Sequence, residues 1–173
     1  MGSHLRVDEI LDHIRSKNYS ADQVLSMIES TKALQPDAIF YGLADAFRSE
    51  DQPIIRNRLA IALQDLGDRR ALSYLIESVN DPITKGCRGT LIYAMSDLNP
   101  IEYVYELVSV VINDSLEASG NALDIIEDLE GELDELICIK SVQLIEQSLQ
   151  TAPDEKIEDL EYLMEIFEQR EKS

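Results

Sequence analysis

The chain has 173 residues and a mass of 19.5 kDa, 45% hydrophobic and 28% charged, which suffices for one packed domain or one short array of repeats but not for two large domains. Its 34 Asp and Glu outnumber 15 Lys and Arg, a formal net charge of -19, so nothing would neutralise a phosphate backbone and direct nucleic-acid binding is disfavoured. The hydrophobic share is too high for a disordered acidic tail, and no uncharged apolar run is long enough for a transmembrane helix.

Met1 to His4 reads as an expression remnant, leaving residues 5–173 as a single domain, and no secretory signal follows it. A cytoplasmic, soluble protein is the expectation. Cys87 and Cys138 are far apart, each within a helical pattern, and are expected to be reduced core residues. Charge is divided unevenly: residues 1–86 hold 13 acidic and 10 basic side chains, residues 87–173 hold 21 and 5. Between Arg88 and Lys140 lie 51 residues with 12 carboxylates and no Lys or Arg. That asymmetry asks for a reason.

Apolar residues recur at helical spacing throughout, and no strand signal competes. A first helix is predicted over Val7 to Ser16. Ser20 with Gln23 reads as a capping box for a second, ending near Ala33. Pro36 opens a third, with Ile39, Phe40, Leu43 and Phe47 on one face. From Asp51 the sequence repeats. Asp51 is predicted to cap a helix with Pro53 in its first turn, carrying Leu59, Ala62, Leu63 and Leu66 to a stop at Gly67. Asp68 caps its partner, whose Leu72, Leu75, Ile76 and Val79 run to Asn80. Asp81-Pro82 restarts the cycle, placing Leu91, Ala94, Met95 and Leu98 thirty-two residues on. Asn99-Pro100 with Glu102 caps the next helix, bearing Leu107, Val108 and Val111. A third round sets Ala122, Ile125, Ile126 and Leu129 at matching positions, with Gly131 as its stop. The pair Asp-Leu recurs near each first helix's end, as Asp65-Leu66, Asp97-Leu98 and Asp128-Leu129. Pro153-Asp154 starts a terminal helix over 154–171, with Ile157, Leu160, Leu163, Met164 and Phe167 on one face.

A period of about 31 to 33 residues, each a helical hairpin, marks an α-solenoid, because one hairpin cannot bury its apolar stripe alone. The stretch Asp51 to Ile76 resembles a HEAT repeat in its Pro53, Ile55 and Arg56, its Leu59-Ala60 and Ala62-Leu63 pattern, and its Leu66-Gly67-Asp68 turn. Residues 82–113 resemble it less closely; 114–151 departs, lacking the proline and the basic position. The resemblance implies an all-α, right-handed solenoid of about four hairpins with a C-terminal capping helix, its clearest repeats at 51–80, 81–113 and 114–151.

Catalytic chemistry finds few candidates. Beyond His4 there is only His13, beside Asp12, and neither cysteine has a histidine partner, so no nucleophile can be assembled. Around Gly131, an EF-hand would need ligands where Ile126 and Ile137 stand. Gly86 and Gly89 flank Cys87 and Arg88 without the context of a phosphate loop. No cofactor or metal is expected, and the chain reads as a non-enzyme.

What remains is surface. In α-solenoids the second helices usually line the concave face, which would place Arg70, Ser73, Tyr74 and Glu77 beside Glu102, Tyr105, Glu106 and Ser109 one repeat on. Tyrosine gives contact area at small entropic cost, and carboxylates around it attract a basic partner. The candidate partner-binding residues are therefore Tyr74, Glu77, Glu102, Tyr105 and Glu106, with Glu127, Asp128, Glu130, Glu132, Asp134 and Glu135 of the acidic segment. Small helical-repeat proteins of this size are similar to some bacterial immunity proteins, which block a cognate toxin, often a nuclease. That resemblance implies an inhibitor that covers a basic protein. The alternatives are a scaffold or adaptor whose acidity serves solubility, and a HEAT-like enzyme such as a lyase or glycosylase.

Overall fold

The computed structural model describes residues 2–16 and 21–171, and among them the chain is helical without a strand. The α-helices are α1 (Gly2–Arg15), α2 (Ala21–Leu34), α3 (Pro36–Ser49), α4 (Pro53–Leu66), α5 (Ala71–Asn80), α6 (Gly89–Tyr93), α7 (Val104–Asn113), α8 (Leu116–Asp128), α9 (Glu135–Leu149) and α10 (Asp154–Glu171). Short 3-10 turns lie at Pro82–Thr84, Ser96–Leu98 and Ile101–Tyr103. Prolines at the first helical positions start α3 and α4, and Gly67 ends α4 in the left-handed region at φ 62°. Among the described residues no helix is long and apolar enough to cross a membrane.

Most of the described helices pack on the next, the one after that, or both. α2, α4, α6, α8 and α10 touch in that order, while α3 meets α5 and α7 meets α9. The shared core takes Ile39, Phe40, Leu43 and Phe47 from α3 and Leu59, Ala62, Leu63 and Leu66 from α4. It continues through Leu91, Ala94, Met95 and Leu98, then Ala122, Ile125 and Ile126, to Leu160, Leu163 and Phe167 of α10. Hydrogen bonds at near-constant sequence separation cross from one pair to the next. Asn57 Nδ2 donates to Thr90 Oγ1 33 residues on, and Asn121 Nδ2 to Gly89 O 32 residues back. Gln64 Nε2 donates to Asp97 Oδ2 at 2.7 Å, also 33 residues on. At the loop ends, Asn99 both donates to Glu130 O and accepts its N–H, 31 residues away. Hydrogen bonds at separations of 31 to 33 residues thus link α4, the α6 region and α8.

Several sequence expectations are corrected. The second cycle does not begin with a continuous helix: Gly86 adopts φ 83°, a left-handed conformation that breaks the run and leaves α6 only five residues long. Cys87 therefore sits exposed in a loop rather than in the core, and Cys138 is only half-buried; neither forms a disulfide. α4 is flanked by Gln52, not Asp51, and carries no side-chain cap. Asn99 stands at φ 47° and spends its side chain on Glu130 rather than capping the helix that follows. Gly131 lies in the loop beyond α8, which ends at Asp128. α1 begins at Gly2, ahead of the Val7 start expected for the first helix. Ser20 of the expected capping box lies outside the described residues.

α1 is held on α3 by close approach at Gly42, where a Cβ would run into Val7 Cγ1. Gly42→Ala should gain about 1 kcal/mol of helix propensity but lose about 1–3 to the clash. We expect a net loss of about 1 kcal/mol by urea denaturation, relieved when Val7→Ala is added.

Candidate protein-binding surface

The candidate residues fall in four places. Tyr74 and Glu77 lie on α5 facing α3, where the Arg48 guanidinium sits 5.6 Å from the Tyr74 ring and holds both Glu77 oxygens at 2.7 and 2.8 Å. Tyr74 also packs edge-on to Phe40. Glu77 is thus neutralised within the chain. Glu102, Tyr105 and Glu106 line a groove of about 500 Å³ between α7 and α9, closed on the far side by Ile137, Lys140 and Leu144. Glu102 is again paired, with Arg69 at 2.6 Å. Glu127 and Asp128 are exposed on the outer side of α8, against α10. Glu130, Glu132 and Asp134 occupy the loop into α9 and Glu135 is the first residue of that helix, where Asp134 accepts the N–H groups of Leu136 and Ile137 as its N-cap. The expected single groove of tyrosines and carboxylates is therefore divided: α5 and α7 each open onto a different neighbour, and the exposed side of α8 faces away from α7, whose apolar stripe it covers.

Tyr162 belongs with the acidic residues although its place in the sequence did not mark it. Its hydroxyl hydrogen-bonds Glu127, and that carboxylate, with burial and the charges of Glu165 and Asp124, pushes the phenol pKa above its ordinary value. The spacing from Asp124 and Glu127 to Tyr162 and Glu165 is long-range, so only the packing of α10 on α8 brings them together.

The basic side chains explain why the charge stays outside. Of the five after residue 86, three are turned inward. Arg88 meets Asp114 at 2.7 Å, with the carboxylate side chain only 2% exposed. Lys156 Nζ donates to Val111 O at 2.9 Å and Ser119 Oγ at 2.7 Å. Arg170 donates to the carbonyls of Ile126, Glu127 and Leu129. Cations at helix C-termini satisfy orphan carbonyls and the negative end of the dipole. Lys32 does the same at Leu66 O, and Arg69 at Leu98 O and Asn99 O. Cations thus serve as caps between neighbouring helices. Among the described residues, the carboxylates from Asp124 to Glu135 form no ion pair.

The aspartates of the first two Asp-Leu pairs, Asp65 and Asp97, feel one another's charge. Asp65 titrates above the ordinary carboxylate range, first because of burial, then through the charges of Asp97 and Glu29. An acid in the last turn of a helix also opposes the dipole. Two further features are plain. Arg56 is buried at 6% exposure with no partner on Nε, beside a cavity of about 180 Å³ that Asp81 also lines. Among the described residues no group of three His, Cys, Asp or Glu is placed to hold a metal ion.

Comparison with protein-family models gives no match, and no curated protein matches the chain. What the fold and surface define is a chain helical throughout its described residues, with hydrogen bonds 31 to 33 residues apart linking its helices, many acids exposed and several cations committed to internal contacts.

Because the folded-state pKa of Asp65 is raised, folding favours its protonated form, and the ionised carboxylate costs stability at neutral pH. Asp65→Asn should therefore raise stability at pH 7 by about 0.5 kcal/mol, a small value for a largely exposed group. The advantage should vanish below about pH 4, where the wild-type carboxyl is protonated; urea denaturation across pH measures it.

Proposed function

We propose that this chain is a HEAT-like α-solenoid, right-handed and of about four hairpins closed by α10, that binds a basic protein through its acidic C-terminal half. The finer reading is an immunity or inhibitor protein of the bacterial cytoplasm that covers a positively charged toxin or nuclease. The observation that carries it is the disposition of the cations: Arg88, Lys156 and Arg170 are consumed by Asp114 and by helix-end carbonyls, and among the described residues the acids from Asp124 to Glu135 form no ion pair. Like charges in proximity destabilise a compact chain, and a field of this sign steers a cationic partner.

The test uses the basic protein that co-purifies with the chain from its native host. Its association rate should fall by roughly tenfold or more between low and high salt, as a steered encounter does. Reversing Glu127, Asp128, Glu132 and Glu135 to Lys should abolish that salt dependence and weaken binding about a hundredfold. Where the partner is a nuclease, an equimolar amount of the chain should inhibit it. An association rate indifferent to both salt and charge reversal overturns the proposal and favours a scaffold that binds through apolar contacts.

A further inference from the structure

A local motif recurs where successive first helices begin, as Asp51-Gln52-Pro53-Ile54, Asp81-Pro82-Ile83 and Asp114-Ser115-Leu116. Each time an aspartate is followed within three residues by an aliphatic side chain, and each aliphatic is turned outward: Ile54 is 70% exposed, Ile83 73% and Leu116 82%. At a helix start an aliphatic residue often packs back on its own first turns, but these exposures show that none of the three does. Single exposed apolar residues are ordinary on any surface. Three at the corresponding place in consecutive segments are a row.

The three positions lie along one edge. Asn57, one turn into α4, is bonded to Thr90 at the start of α6, and Asn121 of α8 reaches Gly89 from the other side. Arg88 ties the same region to Asp114. The start of α4, the Pro82–Thr84 turn with the α6 start, and the start of α8 are therefore consecutive. Exposed carboxylates of Asp51, Asp81 and Glu117 flank the row. The cations close by are Lys85, which is exposed, Arg48, which lines a cavity with Asp51, Asp81 and Ile83 and is paired with Glu77, and Arg56 and Arg88, which are turned inward. The edge thus presents aliphatic anchors in an anionic frame.

We infer that this edge docks an amphipathic basic helix of the partner protein; the inference rests on the reading of the chain as a binder of basic proteins and places the contact on three aliphatic anchors that are not among the candidate residues, although Tyr74 and Glu77 line a cavity shared with Asp51, Asp81 and Ile83. Neighbouring helices pack about 8–10 Å apart, so three anchors span about 20 Å. A helix rises about 1.5 Å per residue, and apolar residues seven apart on one face lie about 10 Å apart, matching that step. Lysines or arginines flanking such a stripe would meet Asp51, Asp81 and Glu117.

The probe is a fluorescein-labelled helical peptide with leucines at seven-residue spacing and lysines beside them, compared with a scrambled peptide of the same composition, by fluorescence anisotropy on the full chain. Ile54→Ser, Ile83→Ser and Leu116→Ser leave the core untouched and should not shift the melting temperature. Each should weaken binding of the patterned peptide about tenfold. The scrambled peptide should bind more weakly and be insensitive to all three. Equal affinity of the triple variant and the wild type, or of the two peptides, overturns the inference. If that occurs while the association rate of the co-purified partner still depends on salt and on the four charge reversals, this edge is wrong and the acidic-module reading stands. If the serine substitutions act as expected but the partner's rate ignores salt and charge reversal, the edge stands and the electrostatic reading falls.

Discussion

An amphipathic helix cannot bury its apolar stripe alone, and in this chain the stripes are covered by other helices. α4 shows the constraint most plainly. Its Leu59, Leu63 and Leu66 are covered by the helices around it, while Asn57 and Gln64, on one side of it, reach forward to Thr90 and to Asp97 of the next segment. A slip of one residue would break those bonds and turn the apolar stripe out of the core. Register is therefore fixed twice, by apolar packing and by a polar ladder in which an unmade bond would leave a half-buried amide unsatisfied.

The same ladder settles where the charge goes. A cation reaching a helix end of the neighbouring segment is worth more to the fold than one pairing on the surface, because it satisfies carbonyls that have no intrahelical partner and complements the negative end of the dipole. Lys32, Arg69 and Arg170 all work in this way, and Lys156 does so at the end of α7. With few basic residues in the C-terminal half, those spent on helix ends are missing from the surface. The surplus of carboxylates is then a consequence of composition and architecture together. Its division between the α7/α9 groove, the outer side of α8 and the 129–135 loop means that any electrostatic role is exerted by a field over much of the surface rather than by one tyrosine-lined channel.

The helices and core were legible because they rest on local rules. Pro36, Pro53 and Gly67 start or stop helices where their fixed or left-handed backbone permits, and the apolar positions of α3, α4 and α10 follow from helical spacing alone. The break before α6 was not legible, since Gly86 is tolerated in a helix and only the left-handed conformation it adopts reveals the loop that exposes Cys87. Pairings such as Arg48 with Glu77 and Arg69 with Glu102 were missed for another reason: long side chains reach across a pair at separations of 29 and 33 residues, which no local spacing announces. That is why Glu77 and Glu102 looked available in the sequence and prove to be neutralised. Ile54, Ile83 and Leu116 did carry a signal, the repeated aspartate and aliphatic pair, but the same pattern reads as an ordinary helix start until exposure is known.

In-register stacking is tested most directly by a double-mutant cycle on Gln64→Ala and Asp97→Ala, read by urea denaturation. The two residues are 33 apart in sequence and meet only if successive segments align as described. A coupling energy of about 1 kcal/mol is predicted for the hydrogen bond between them. Additive effects, with coupling below about 0.3 kcal/mol, would contradict the register on which the packing, the capping cations and the displayed acidic surface all depend.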